Sequence, residues 1–183
     1  MGSIRMDIQQ STIDRVTTGL EGLAHERIEG LDEVLTLRVE LDVLPQVMKA
    51  IRDACGFQIS TFVTAVDHDV EREEAGKPRF DVIWQFQSVS FSDRLRIHSW
   101  AQGDEPTVPS IIELWPGAIY GERECYDMFG IRFEGHADLK RILMPEEYDH
   151  FPLRKDFPHQ GIEPDKLYKA WDRKRRLTAG EEV

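Results

Sequence analysis

The strongest constraint on the fold is a set of four segments in which apolar and polar residues alternate. These segments cover residues 34–41, 57–65, 80–86 and 94–101. A period of two indicates a half-buried β-strand, because successive side chains of a strand point to opposite faces of the sheet. In the second segment the pattern predicts one shared face for Phe57, Ile59, Thr61, Val63 and Ala65.

One amphipathic helix is predicted between the first two strands. Asp42 and Pro45 are typical of a helix start, apolar residues recur at helical spacing from Leu44 to Cys55, and Gly56 is a natural stop. Cys55 lies on the apolar face, which predicts a core residue rather than a reactive thiol. The order strand, helix, strand, strand, strand predicts an α+β fold, with a mostly antiparallel sheet and helices packed on one face.

Two further helices are predicted before residue 131. Ser110 and Glu113 have the spacing of a capping box, which predicts a short helix that Pro116 interrupts. A second helix is predicted over residues 117–129, and Gly130 follows it as a stop signal.

The chain divides into three parts by pattern. Residues 1–32 are weakly patterned, with a short helix indicated around 14–25, and residues 33–130 form the predicted core domain. Residues 131–183 are rich in proline, glycine and charge, so we predict an extended C-terminal arm followed by a basic tail. The tail, residues 162–183, lacks a clear apolar stripe, and we expect partner proteins to order it.

Composition excludes several classes of function. A formal net charge of -11 argues against nucleic-acid binding, which requires lysine and arginine to neutralise phosphates. No apolar run approaches the roughly 20 residues of a membrane helix, and the first residues lack the apolar core of a secretory signal. The two cysteines cannot alone hold an iron–sulfur cluster of the four-thiolate type, and there is no dinucleotide-binding glycine pattern. The acidic segment 67–74 and the basic segment 166–176 are solvated surface or docking surface for neighbouring proteins.

The helix over residues 117–129 carries three consecutive charges at positions 122–124. They span roughly 200° of the helix surface, so they cannot all face water if one side packs. Glu122 shares the stripe of Cys125 and Phe129, where an unpaired carboxylate is costly to bury. The arm that follows supplies four cations, namely Arg132, Arg141, Arg154 and Lys155. We therefore predict that Glu122 or Glu124 pairs with one of them and pins the arm to the helix.

A catalytic interpretation of the same helix is the alternative. Glu122, Glu124 and Asp127 could include a general acid–base pair, with His136 close in sequence. No nucleophile motif, phosphate loop or metal-ligand spacing accompanies them. Turnover by the purified chain would favour this alternative.

Two blocks near the end of the chain resemble a known family. They read ERECYDMFGIRF at 122–133 and GHADLKRILMPEEYDHFPLRKDFP at 135–158, and both are similar to the C subunit, also called the thirty-kilodalton subunit, of respiratory complex I. The resemblance covers roughly residues 33–158, with Ala137 standing where the family usually has proline. The positions that carry this structural or interface signature are Glu122, Arg123, Glu124, Asp127, Phe129, Gly130, His136, Arg141, Pro152, Leu153, Arg154, Lys155, Asp156 and Pro158.

The resemblance implies a role inside a larger machine. It implies a cofactor-free structural subunit in the hydrophilic arm of a proton-pumping NADH:quinone oxidoreductase, with FMN, iron–sulfur clusters and quinone held by partner subunits. The implied partners are the D subunit and the cluster-bearing B and I subunits, with the membrane reached only through them, at the cytoplasmic face of the bacterial inner membrane. No catalytic, cofactor-binding or metal-binding residue is expected here. Related scaffold subunits occur in membrane-bound hydrogenases and ferredoxin-linked complexes, so the electron donor stays open.

Overall fold

The computed structural model describes residues 2–29, 32–146, 148–161, 164–178 and 180. The helices are α1 Gly2–Gly19, α2 Leu44–Asp53, α3 Val70–Glu74, α4 Ile119–Phe129 and α5 Pro164–Thr178, with a 3-10 turn at Pro116–Ala118 before α4. The strands are β1 Glu26–Ile28, β2 Leu35–Arg38, β3 Ile59–Asp67, β4 Phe80–Gln87, β5 Arg94–Ala101, β6 Thr107–Pro109 and β7 Arg132–Glu134.

Five strands form one mixed sheet in the order β1-β2-β5-β4-β3. Every neighbouring pair is antiparallel except β2 with β5, which run parallel from the Leu35–Leu95 pair to the Arg38–His98 pair. A separate parallel pair joins β6 to β7, with Val108 opposite Phe133. The α+β class and the mostly antiparallel sheet are therefore as predicted.

The core lies against one face of this sheet. Alternate residues of β4 are fully buried, and α2 contributes buried residues at the spacing i, i+3, i+4 and i+7 of an amphipathic helix. These residues are Phe80, Val82, Trp84 and Phe86 of β4 and Leu44, Val47, Met48 and Ile51 of α2. Each such side chain contributes about 1.5–3 kcal/mol of burial free energy, so this layer is the main source of stability.

The alternation predicted for β3 holds only in part. Val63 and Ala65 are buried as predicted, but Ile59 is 44% exposed and Thr61 is exposed. The pairing with β4 shifts between Ser60 and Phe62, so an extra residue sits in the strand at this point. A bulge of one residue reverses which face later side chains point to, and this is why the predicted single face was wrong.

The helix expected after Ser110 is not formed, and the capping-box prediction was wrong. Residues 112–114 form a turn instead, closed by hydrogen bonds from the amides of Leu114 and Trp115 to the carbonyl of Ile111. The Ser110 hydroxyl donates to Glu122 at 2.6 Å. Its oxygen also accepts from the Ile112 amide at 3.3 Å, so Ser110 links a local turn to Glu122 and does not begin a helix.

The first helix begins earlier than the sequence indicates and ends at Gly19 rather than near residue 25. It packs closely on the end of α2, because a Cβ on Gly19 would lie 2.3 Å from the Cys55 Sγ. The Arg15 guanidinium pairs with Asp93 in the turn between β4 and β5. Cys55 is buried, which confirms its prediction as a core residue.

The helix predicted over residues 117–129 is confirmed as the 3-10 turn followed by α4. It ends at Gly130, whose φ of 74° is the left-handed conformation typical of a helix C-terminus. The helix packs directly on β3, because a Cβ on Gly121 would lie 3.1 Å from the Cβ of Val63 and 3.3 Å from its main-chain nitrogen and oxygen.

The chain after Gly130 forms β7 and then runs without helix or strand through residues 135–146 and 148–161. The tail contains α5, a helix that the sequence pattern did not indicate. The division into domains at residues 32 and 130 stays a prediction. Among the described residues, no helix is long and apolar enough to span a membrane.

Gly130 gives the first testable prediction. A Cβ there would lie 2.6 Å from Arg154 Nη2 and 2.7 Å from the Phe151 ring, so Gly130→Ala adds a clash to the strain of a left-handed residue. Gly135→Ala is the matched control, because Gly135 also has a positive φ but has nothing within 4 Å of the added carbon. We expect a loss of about 1–2 kcal/mol for the control and about 1–3 kcal/mol more for Gly130→Ala, measured by urea unfolding. Equal losses would show that close approach of the arm is unimportant.

Candidate functional site

The three acidic residues of the α4 signature lie in three different environments. Glu122 and Asp127 are both 0% exposed, whereas Glu124 is exposed. Helix geometry explains this separation, because positions 122 and 124 are turned about 200° apart, while 124 and 127 lie on one side.

Glu122 is held inside the protein by two neutral donors. The Ile111 amide donates to Oε1 at 2.8 Å, and the Ser110 hydroxyl donates to Oε2 at 2.6 Å. Burial raises the pKa of Glu122 from 4.5 to about 7, against the lowering effect of these two hydrogen bonds. A protonated carboxyl group is far cheaper to bury than a carboxylate, so this position does not require a cation.

The predicted ion pair between the arm and Glu122 or Glu124 was therefore wrong. Neither residue pairs with a cation in the part of the chain that the structure describes. Two hydrogen bonds from the 110–111 segment satisfy Glu122, and Glu124 faces solvent. Sequence spacing located the buried acid correctly but could not reveal a partner that lies before it in the chain.

Asp127 is the acid that holds the arm. Its Oδ1 accepts from the Arg141 guanidinium at 2.7 Å. Its Oδ2 accepts from the main-chain amides of Ile142, Leu143 and Met144 at 3.0, 2.6 and 2.8 Å. Burial alone would raise the pKa of Asp127, but these donors outweigh it and hold the pKa below its usual value. One carboxylate thus orders four consecutive arm residues against α4.

A second aspartate orders the next part of the arm. Asp67 accepts from Arg79 Nε at 2.8 Å and Nη2 at 2.7 Å, and its Oδ2 also accepts from the Lys155 amide at 2.8 Å. Arg79 also pairs with Asp156 at 3.1 Å. Lys155 is therefore attached through its main-chain amide, whereas the sequence pattern predicted a contact through its side-chain charge. Burial alone would raise the pKa of Asp67, but Arg79 and the amides of Lys155 and Asp69 hold it below its usual value, the Asp69 amide donating to Oδ1 at 3.0 Å.

Arg154 closes the end of α4. Its Nε donates to the carbonyl of Phe129 at 2.6 Å, and its Nη2 donates to the carbonyl of Asp104 at 3.0 Å. The Leu153 amide donates to the carbonyl of Met128 at 3.1 Å. A cation at the end of a helix satisfies carbonyls that lack helical partners and interacts favourably with the helix dipole.

The other basic and imidazole side chains of the signature also bind main chain. Arg123 donates to the carbonyls of Lys140 and Arg141 at 3.1 and 2.8 Å. His136 lies 3.2 Å from the carbonyl of Ile119 through Nε2 and accepts from the Asp138 amide at Nδ1, so its proton is on Nε2. Each of these residues ties residues 136–141 to α4.

Four positions differ from the rest. Pro152 is half-buried and Pro158 is exposed, and the carbonyl of Pro158 accepts from the Gly161 amide at 2.8 Å. Arg132 is exposed on β7 and forms no ion pair with another described residue. Ala137 is also exposed, so its replacement of proline leaves no gap in the core. The role of the signature as an interface stays a prediction.

The ordered arm presents apolar side chains to solvent. Leu143 is 63% exposed and Leu153 is 52% exposed, with Ile142 beside Leu143 also exposed. Tyr120, on the N-terminal half of α4, is 64% exposed. Neighbouring exposed apolar residues such as Ile142 and Leu143 are typical of a protein–protein contact surface when they form a continuous patch.

The geometry gives no support for acid–base catalysis. Glu122 is inside, Glu124 is outside, and both oxygens of Asp127 are occupied by donors. Within the described ranges, no three His, Cys, Asp or Glu side chains are grouped so that they could hold a metal ion. The arrangement can hold the arm against α4 and present the exposed apolar side chains of the arm to another protein.

Local sequence patterns do not predict the pairing of Asp67 with Arg79. The available signal is that Asp67 continues the buried face of β3 after Val63 and Ala65, where a carboxylate requires a partner. Nothing in the spacing identifies Arg79 as that partner.

Comparison with known proteins identifies the family. The sequence matches the family described as "Respiratory-chain NADH dehydrogenase, 30 Kd subunit" over residues 37–163. It is 43% identical over 131 residues to the C subunit of the NADH-quinone oxidoreductase of Rhodopseudomonas palustris, covering 70% of this chain and 62% of that protein. It is 41% identical over 156 residues to the C subunit from a Methylobacterium species, covering 84% and 69%. The C/D subunit of the NADH-quinone oxidoreductase of a Sulfurihydrogenibium species is 37% identical over 136 residues, covering 73% and 23%.

Two solved structures share the fold. A trypsin-resistant fragment of Nqo5 aligns with a TM-score of 0.56 at 25% identity, covering 72% of this chain and 99% of that chain. A chain of the membrane-bound sulfane sulfur reductase, an archaeal respiratory membrane complex, aligns with a TM-score of 0.65, covering 89% and 91%. Its identity of 16% shows similarity of fold alone.

These matches place the chain in a class of proteins, the subunits of respiratory-chain oxidoreductases. The family match covers well over half of the sequence, so the chain belongs to the 30 Kd subunit family of the respiratory-chain NADH dehydrogenase, and the resemblance is confirmed. The chain spans 62% of the length of the Rhodopseudomonas relative and 23% of the C/D protein, so it corresponds to part of each.

The raised pKa of Glu122 predicts an unusual dependence of stability on pH. Between pH 4.5 and about 7 the folded state keeps a proton that the unfolded chain releases, so stability falls as pH rises through this interval. The full loss is about 3 kcal/mol. Glu122→Gln carries a side chain that stays neutral, and we expect a flatter curve of unfolding free energy between pH 5 and 8.

Glu124→Gln is the matched control, because it changes the same group at an exposed position of the same helix. It should keep the pH dependence of the wild type. Parallel curves for Glu122→Gln and the wild type would contradict the assignment of Glu122 as a buried neutral acid.

Proposed function

We propose that this chain is a cofactor-free structural subunit in the hydrophilic arm of a proton-pumping NADH:quinone oxidoreductase. The observation that carries the proposal is that the signature residues attach the arm to the rest of the protein. Asp127 and Arg141 bind main chain and each other, Arg154 binds main chain, and together they hold an arm that exposes Leu143 and Leu153. Such an arrangement fits a docking element.

The proposed activity belongs to the assembled complex rather than to this chain. NADH oxidation, electron transfer through FMN and iron–sulfur clusters, and quinone reduction would occur in partner subunits. Both cysteines are buried, and burial raises the pKa of the Cys125 and Cys55 thiols, which disfavours the thiolate form that binds iron. The chain would supply shape and contacts to the quinone-reducing module.

We propose the D subunit as the principal partner of the arm. Its support is the Sulfurihydrogenibium relative, whose name joins C and D in one protein. Two proteins that are fused in one organism and separate in another are generally in contact when separate. The B and I subunits are proposed as cluster-bearing neighbours on the family resemblance alone. The complex would place the chain peripherally at the cytoplasmic face of the bacterial inner membrane.

A related machine is the second candidate. The fold is shared with a chain of an archaeal membrane-bound sulfane sulfur reductase, so the same scaffold occurs beside a different electron acceptor. Hydrogenase or ferredoxin-linked complexes belong to the same group of alternatives. Identification of the proteins that co-purify with this chain decides between them, because flavin- and nicotinamide-binding partners select the NADH enzyme.

The scaffold role predicts a separation between assembly and chemistry. Asp127→Asn removes the charge that pairs with Arg141 and weakens the acceptor for three amides. We expect a loss of about 3–5 kcal/mol in the stability of the chain, because a half-buried guanidinium loses its partner. Incorporation into the complex should fall in parallel, while quinone reductase activity per assembled complex stays normal.

The matched control is Asp138→Asn, because Asp138 is exposed and pairs with the exposed Lys140. It should leave stability and incorporation unchanged. If Asp127→Asn assembled normally but lost activity per complex, the scaffold role would be wrong and a direct part in catalysis would have to be reconsidered.

The tail gives a further prediction, which uses trypsin. The consecutive residues 173–176 of α5 are basic and exposed. If partners order the tail, trypsin should remove it readily from the free protein and slowly from the complex. The trypsin-resistant fragment known for Nqo5 supports this expectation for a relative. Mass spectrometry of a digestion time course measures both rates, and equal rates in the two states would contradict the prediction.

A further inference from the structure

We infer that Glu124 is the charged centre of the surface that meets the D subunit, and that it pairs there with a cation of that partner. The inference rests on the proposed function, because it names how the proposed partner is recognised. It goes beyond that function by naming Glu124 as the residue at the interface, an ion pair as the contact, and a positive charge on the partner.

The first argument is the position of Glu124 on α4. Tyr120 and Glu124 are one helical turn apart, and Asp127 follows three residues later, so all three lie on one side of the helix. At the C-terminal end of this side, Asp127 is covered by the main chain of residues 142–144. The exposed side chains of Ile142 and Leu143 therefore extend the surface that begins at Tyr120.

The second argument is that the other acids of α4 are already satisfied. Glu122 accepts two hydrogen bonds in the interior, and Asp127 accepts four from the arm. Glu124 is exposed and forms no hydrogen bond or ion pair with the described residues. It is thus the acid of the signature that remains available to another protein.

The third argument concerns the chemistry of the surface. Glu124 lies between an exposed tyrosine, one turn before it, and the exposed aliphatic side chains of Ile142 and Leu143 beyond Asp127. When such a surface is covered, a carboxylate without a cation is costly to bury, so the partner must provide one. Arginine fits this requirement best, because its planar guanidinium binds a carboxylate through two hydrogen bonds and also packs on aromatic rings. Tyr120 lies where it can provide such a ring.

The test measures binding of the full chain to the purified D subunit of the same organism at several salt concentrations. We expect Glu124→Gln to weaken binding by about tenfold or more, and Glu124→Lys to weaken it further, since it places like charges together. The affinity of the wild type should fall with added salt, and the slope for Glu124→Gln should be smaller. Thermal unfolding should be unchanged for Glu124→Gln, because the side chain is exposed in the free chain.

Glu71→Gln is the matched control, since it neutralises an exposed glutamate on α3, and it should bind like the wild type. Wild-type affinity and salt dependence in Glu124→Gln would overturn the inference while leaving the proposed function intact. Failure of the wild-type chain to bind the D subunit would overturn the proposed partner, and this inference with it.

Discussion

The carboxylate of Asp127 is the interaction on which the second half of the molecule depends. A chain segment without helix or strand leaves its main-chain amides without partners, and buried amides without acceptors are costly. Asp127 meets this requirement for residues 142–144 and also binds the Arg141 guanidinium. Because Asp127 lies on a helix that packs against the core, its hydrogen bonds attach the arm to the core.

The donors around each carboxyl group explain why Glu122 and Asp127, two equally buried acids of one motif, behave so differently. Glu122 has only neutral donors around it, and its pKa rises to about 7, whereas cationic and amide donors hold the pKa of Asp127 below its usual value. The two residues therefore respond to pH in opposite directions. The Asp127 contact weakens as pH falls and its carboxylate becomes protonated, whereas the contribution of Glu122 to stability is lost as pH rises from 4.5 to about 7. The free chain should be most stable between these two ranges.

The sequence predicts the elements of this fold better than their connections. The alternation in β4, the helical spacing of α2 and the stop at Gly130 each reflect a local rule, and each is confirmed. The bulge near Thr61 and the link from Ser110 to Glu122 depend on residues that approach only after folding, and both were mispredicted. The same holds for the site: spacing showed that α4 must hold the arm, but only geometry distinguishes Asp127 from Glu122 as the residue that does so.

The close contact between Gly121 and Val63 has a consequence for the free chain. β3 is the last strand of the sheet, and an outermost strand of nine residues can pair with a strand of another copy and start aggregation. At Val63 the main chain of β3 lies so close to α4 that a Cβ on Gly121 would be only 3.3 Å from its nitrogen and oxygen. The helix thus covers this part of the outermost strand, and the small size of residue 121 is what allows it to lie there.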